Sequence, residues 1–193
     1  MKNRVQRCLT FLALVLSTTL CYAIPFTVNL TGPNEAPPNG SPATGNAIVI
    51  FDALAHSLAI DVSFAGLLGT TTASHIHCCV ANPSAGNIGV ATQLPTFVGF
   101  PLGVTSGTYH ATFDTSLATT WSPGFITANG GTAAGAESAF GMGLLEGKAY
   151  LNIHTTAIPG GEIRGFLVAV PEPASLALLS IGLLGFGAVR RRR

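Results

Sequence analysis

Ser57-Leu58-Ala59-Ile60-Asp61-Val62-Ser63-Phe64 is the stretch on which the fold reading turns. Leu58, Ile60, Val62 and Phe64 alternate with Ala59, Asp61 and Ser63, a period of two that puts one face of a strand in a core and the other toward water. Just upstream, Ala47 to Phe51 is a β-branched apolar run, and Ala53 to His56 is short enough to join the two as a hairpin. Ile24 to Leu30, Ser74 to Cys78, Gly107 to Phe113, Ala149 to Thr155 and Glu162 to Ala169 read as further strands. The last two are separated by Pro159-Gly160-Gly161, which supplies turn chemistry.

The connecting segments fit the same class. Thr31 to Thr44 and Pro83 to Val104 are dense in Gly and Pro, so they read as a loop and a long excursion between strands. Only Thr132 to Glu146 changes period. Thr132 is its N-cap, alanines fill it, and Gly147 marks the stop. The expectation is an all-β domain, an antiparallel β-sandwich or partly open barrel of immunoglobulin or superoxide-dismutase type, with one short helical insertion.

Both ends of the chain stand outside this domain. Lys2, Arg4 and Arg7 precede the apolar run Leu9 to Leu20, and Cys21-Tyr22-Ala23 offers small residues where a signal peptidase reads. Thr18-Thr19-Leu20 before Cys21 lacks the pattern needed for lipid attachment, so residues 1–23 read as a cleaved signal peptide. At the other end, Pro171-Glu172-Pro173 leads into the apolar run Ala174 to Val189, and Arg190, Arg191, Arg192 and Arg193 close the chain. Positive charge stays on the cytoplasmic side, which leaves everything upstream outside. As a helix the apolar run would span only about 24 Å, short of the ~30 Å hydrocarbon core. That suits a transmembrane helix inserted transiently and then cut better than a permanent anchor.

With both ends set aside, the composition changes meaning. The formal charge of +1 gives way to Lys148 and Arg164 against Glu35, Asp52, Asp61, Asp114, Glu137, Glu146 and Glu162, a balance of −5. Two cations cannot neutralise a row of phosphates, which argues against a nucleic-acid partner. Of 4 cysteines, only the adjacent Cys78 and Cys79 remain. In an oxidising envelope that pair can close on itself, hold a metal or link to another chain.

Chemistry concentrates in Ser74-His75-Ile76-His77-Cys78-Cys79 and Asn152-Ile153-His154-Thr155. On a strand, His75 and His77 project side by side with Cys79 in line, and His154 shares its face with Tyr150 and Asn152. Two imidazoles at that spacing chelate one ion, with His154 as third ligand and Cys79 as a thiolate favouring Cu(I) or Zn. The competing reading is a set of strand histidines held by backbone carbonyls, binding nothing. His56 and His110 read as surface residues. Glu162 and Arg164, two apart on one face, read as a structural ion pair. The Asn29-Leu30-Thr31 sequon fits N-glycosylation by spelling only.

Two resemblances complete the reading. The triplet, apolar run and arginines resemble the PEP-CTERM signal of Gram-negative bacteria, which implies cleavage by an exosortase and release toward the outer envelope or extracellular matrix. The segments Leu30 to Pro38, Pro42 to Gly45, Ala73 to His77 and Tyr150 through Pro159 to Gly165 resemble the CHRD domain first described in chordin. That resemblance implies an all-β exported domain and supplies no catalytic residues. The expected organisation is a signal peptide (1–23), a CHRD-like β domain (24–169) and a sorting tail (170–193), helical at both targeting ends.

The function expected is that of a secreted, non-enzymatic cell-surface or matrix component, its precursor anchored in the inner membrane. Its partners would be signal peptidase and exosortase during export, then a matrix polysaccharide or surface protein. The second reading is an envelope Cu- or Zn-binding or redox protein using the three histidines. It is motivated by a distant similarity to Cu/Zn superoxide dismutases, from which this chain departs by lacking a His-rich zinc loop. A hydrolase ranks last, since Glu35, Asp52 and Asp61 accompany no nucleophile elbow, zinc helix or phosphate loop.

Overall fold

A computed structural model describes residues 23–171. The signal peptide and the sorting tail beyond Pro171, with the helices expected for them, lie outside the described residues. The strands are β1 (Ile24–Thr31), β2 (Thr44–Asp52), β3 (Ser57–Ala65), β4 (Thr71–His77), β5 (Gly107–Asp114), β6 (Tyr150–Thr155), β7 (Ile163–Phe166) and β8 (Val168–Ala169). They form one antiparallel sheet in the order β4-β6-β7-β1-β2-β3-β5, with the short β8 also paired to β1. The sheet curls into a half-barrel, so of the two architectures expected it is the partly open barrel that forms.

Alternation in the first three strands does what the sequence predicts. Val28, Leu30, Val49, Leu58, Ile60, Val62 and Phe64 are buried inside the curl, while Thr27, Asn29, Ile48 and Asp61 face out. The β2–β3 register runs Asp52 to Ser57 across a tight turn whose His56 takes φ 50°. Two helices lie against the sheet, α1 (Pro123–Ala128) and α2 (Ala133–Leu145). The Thr132 side chain caps α2 by accepting from the Gly135 N–H, and Gly147 follows at φ +66°, a left-handed stop that suits glycine. Phe140 of α2 meets Phe51 edge-on at 5.8 Å and Trp121 at 5.1 Å, which fills the inside of the half-barrel. Among the described residues no helix is long and apolar enough to cross a membrane.

β4, β6 and β7 depart from the simple pattern because they are buried on both faces. Ser74, Ile76, Leu151, Ile153 and Ile163 occupy one side. His75, His77, Tyr150, Asn152 and Arg164 are also buried, on the other. Their cover is the excursion after β4. It lies along the free edge of that strand, with the Ala91 N–H donating to Ile76 O at 3.0 Å and the Phe97 N–H to Ser74 O at 3.1 Å. The edge that would template aggregation is thereby closed. The same loop is then in position to meet side chains on the outer face.

Candidate metal centre

Register brings the three histidines together. His75 pairs with Asn152, His77 with Tyr150 and Ala73 with His154, so the imidazoles project from neighbouring positions on one face. Ring centroids lie 5.8 Å apart for His75 and His77, 5.1 Å for His75 and His154, and 6.0 Å for His77 and His154. One nitrogen from each forms a group whose members all lie within 4.8 Å of one another. The spacing expected from the sequence is therefore realised for all three.

The second nitrogen of each ring is committed to the backbone. His75 Nε2 donates to Pro95 O at 2.5 Å, His77 Nδ1 to Ile88 O at 2.8 Å, and His154 Nδ1 to Pro159 O at 2.9 Å. A carbonyl oxygen only accepts, so each of these nitrogens carries the proton. That fixes the tautomer. It leaves His75 Nδ1, His77 Nε2 and His154 Nε2 with lone pairs, and these three atoms are buried without any hydrogen-bond partner. The hydrogen bonds to carbonyls expected under the bland reading are thus present, but they account for only half of each ring.

Three unpartnered acceptors from one cluster of rings are unfavourable by themselves in a protein interior, since each forfeits its hydrogen bond to water. A cation removes that penalty. Burial pushes all three imidazoles toward the neutral form, lowering His77 to about 4, and neighbouring rings lower His75 and His77 further while the carbonyl bonded to each ring opposes the shift. Neutral imidazole is the ligand form. An ion about 2.0 Å from each nitrogen sets them ~3.5 Å apart, so a contraction of roughly an ångström closes the set. Backbone carbonyls holding the outer N–H groups are a common support around metal-bound histidines.

Cys79 does not join them. β4 ends at His77, and Cys78 and Cys79 are disulfide-bonded to each other, the Cys79 sulfur lying 3.6 Å from Ala139 O of α2. A disulfide sulfur is no thiolate, so the expected sulfur ligand is corrected: the donor set is nitrogen only. The pair packs so tightly under α2 that a Cβ at Gly143 would overlap both sulfurs.

Glu162 and Arg164 require a second correction, since they do not pair. Glu162 precedes β7 and lies in a bend, so the two-residue period does not carry from one to the other. Its carboxylate, fully buried, accepts instead from Ser41 Oγ at 2.7 Å, Leu68 N at 2.6 Å, Gly69 N at 3.2 Å and Thr155 Oγ1 at 2.6 Å. Arg164 reaches the other way. Its Nε donates to Asn34 O at 2.6 Å, and its Nη1 to Gly86 O at 3.2 Å and Asn87 Oδ1 at 2.6 Å. Glu35 lies 3.7 Å from the Arg164 Nε. Arg164 also covers the Tyr150 ring at 4.7 Å, and Tyr150 stacks on His77 at 4.7 Å, so the cation forms the floor behind the histidines.

The role of Glu35 was not legible beforehand. Burial outweighs the attraction of Arg164 and pushes its carboxyl up to about 7. Its Oε1 and Asn152 Oδ1 are the remaining buried side-chain atoms without partners among the described residues. His110 is exposed near Asp61, as expected for a surface residue, whereas His56 is fixed to the buried Glu137 at 2.9 Å.

The chain matches no curated protein and no solved structure. The PEP-CTERM protein-sorting motif matches residues 169–193, which makes this an exported, envelope-targeted protein processed by an exosortase. The CHRD domain matches residues 26–167, the strands and loops that build the histidine cluster among them, and the chain belongs to the CHRD-domain family.

Proposed function

We propose that this protein is a non-enzymatic metal-binding component of the cell surface or extracellular matrix, with one Cu or Zn ion held by His75, His77 and His154. The observation that carries this reading is a cluster in which one nitrogen of each ring lies within 4.8 Å of the others, and in which each ring keeps one buried, unpartnered nitrogen while its opposite nitrogen is tied to a carbonyl. A purely structural role asks only for the carbonyl bonds and leaves the convergence unexplained. Export supports the reading as well, because the envelope is where free metal ions are met. A matrix polysaccharide or a surface protein is the neighbour that this location supplies.

The test is metal analysis of the protein recovered from cells expressing the full chain, beside a His75→Ala, His77→Ala double variant. One equivalent of copper or zinc in the parent, absent from a variant with unchanged circular dichroism, is expected. No ion in the parent after reconstitution with either metal overturns the proposal.

A further inference from the structure

Resting on the metal reading, we infer that the ion is monovalent copper, bound by three nitrogens in a trigonal site. Three features lead there. The first is charge. All three ligands are neutral by tautomer, the two nearby sulfurs are bonded to each other, and no carboxylate is among the three donors. The solvation cost of burying an ion grows with the square of its charge, so a dication costs about four times as much as a monocation when no anionic ligand offsets it. Arg164 adds to this bias: its cation stands behind Tyr150 and its field falls on His77.

The second feature is the outer support. The rings donate to Pro95, Ile88 and Pro159 carbonyls rather than to carboxylates. A carboxylate in that position makes imidazole more basic and strengthens its grip on a dication. Carbonyls bring no negative charge to the rings, which stay neutral donors.

The third is donor number. Zinc takes four ligands, or three with a water in an open fourth position. Here the three free nitrogens are sealed from solvent. His77 is stacked on Tyr150, and the excursion after β4 covers the face. Copper(I) shares zinc's filled d shell but carries half the charge, and it is satisfied by three donors in a plane. The site thus suits an envelope protein that takes up or holds reduced copper.

Protein recovered from cells expressing the full chain is stripped of metal and titrated without oxygen with Cu(I), and separately with Ag(I), Zn(II) and Cu(II). The expected result is one equivalent of Cu(I), with Ag(I) competing for it, and a preference over Zn(II) on the order of 100-fold or more. X-ray absorption of the copper-loaded protein should show three nitrogen neighbours and the edge feature of three-coordinate Cu(I), a readout that needs no variant to fold. Tighter binding of Zn(II) or Cu(II), or a four-coordinate spectrum, overturns this inference while leaving the metal reading intact. Failure of every ion to bind overturns both.

Discussion

Glu162→Gln should cost this domain much of its stability although it changes one oxygen to an amide. The carboxylate takes two donors on each oxygen, Ser41 Oγ and Leu68 N on Oε1, Gly69 N and Thr155 Oγ1 on Oε2. Whichever way a glutamine side chain lies, its NH2 faces two donors, and one of them is a backbone N–H that cannot turn away. That N–H is left buried and unsatisfied, which costs about 1–3 kcal/mol, and the remaining bonds lose their charge assistance at about 1 kcal/mol each. A loss of about 3–5 kcal/mol follows, set against a total of ~5–15 kcal/mol for a domain. At roughly 2–4 °C per kcal/mol for a chain of this size, the midpoint should fall by about 10 °C. Urea and thermal unfolding of the two proteins, followed by circular dichroism, measure this directly.

The same residue carries a pH signature. Burial alone raises the Glu162 pKa, but the four hydrogen bonds outweigh it and hold the group below its ordinary 4.5. A depressed carboxylate contributes stability that is present above the unfolded value and lost as pH falls through the folded one. The gap between parent and Glu162→Gln should therefore close in acid. A variant within about 1 kcal/mol of the parent at neutral pH, or a gap that stays constant down to strong acid, refutes the reasoning.

Further outcomes follow from the other sites. Arg164→Met should destabilise the domain by about 3 kcal/mol in equilibrium unfolding, with part recovered in an Arg164→Met, Glu35→Gln double variant that leaves no buried carboxylate behind. Gly143→Ala should lose about 1–3 kcal/mol from overpacking against the disulfide, and adding Cys78→Ser and Cys79→Ser should relieve it. In the metal-free protein, a His77 lowered to about 4 from 6.5 favours the neutral folded form, so stability falls as pH drops from 6.5 to about 4, by up to ~3 kcal/mol, and bound metal deepens that loss. Mass spectrometry of protein outside the cell should find no Arg190 to Arg193. Their retention counts against cleavage by a sorting protease.

Local rules carried the sequence reading far where structure is local. Alternation located β3 because it has one wet face, the β-branched run Ala47 to Phe51 located β2, and Thr132 with Gly147 bracketed α2 because capping acts within one turn. The short α1 went unread although Ser122-Pro123 is a start signal, since six residues hold no visible period. The grouping of the three histidines was legible because the strand period aligns His75 with His77 and pairing with a later strand brings His154 beside them. What fixes their protons was not, because Pro95, Ile88 and Pro159 offer main-chain oxygens that no side-chain pattern announces. Cys79 was misplaced by extending the strand beyond His77. Glu35 escaped notice as the neighbour of Arg164 because a loop and an antiparallel sheet bring them together across most of the chain.

The pairing of β8 with β1 has a consequence for the precursor. The Val170 N–H donates to Pro25 O at 2.9 Å, so the domain's two ends leave side by side. The segments that continue from the two ends therefore start from neighbouring points of one strand pair. Thr31, at the far end of the same strand, pairs with Arg164, and eight residues of strand at ~3.3 Å put the floor of the histidine site some 23 Å from that point. The histidine face thus lies at the opposite end of β1 from the point where both ends of the domain emerge, so whatever continues from those ends does not start beside it.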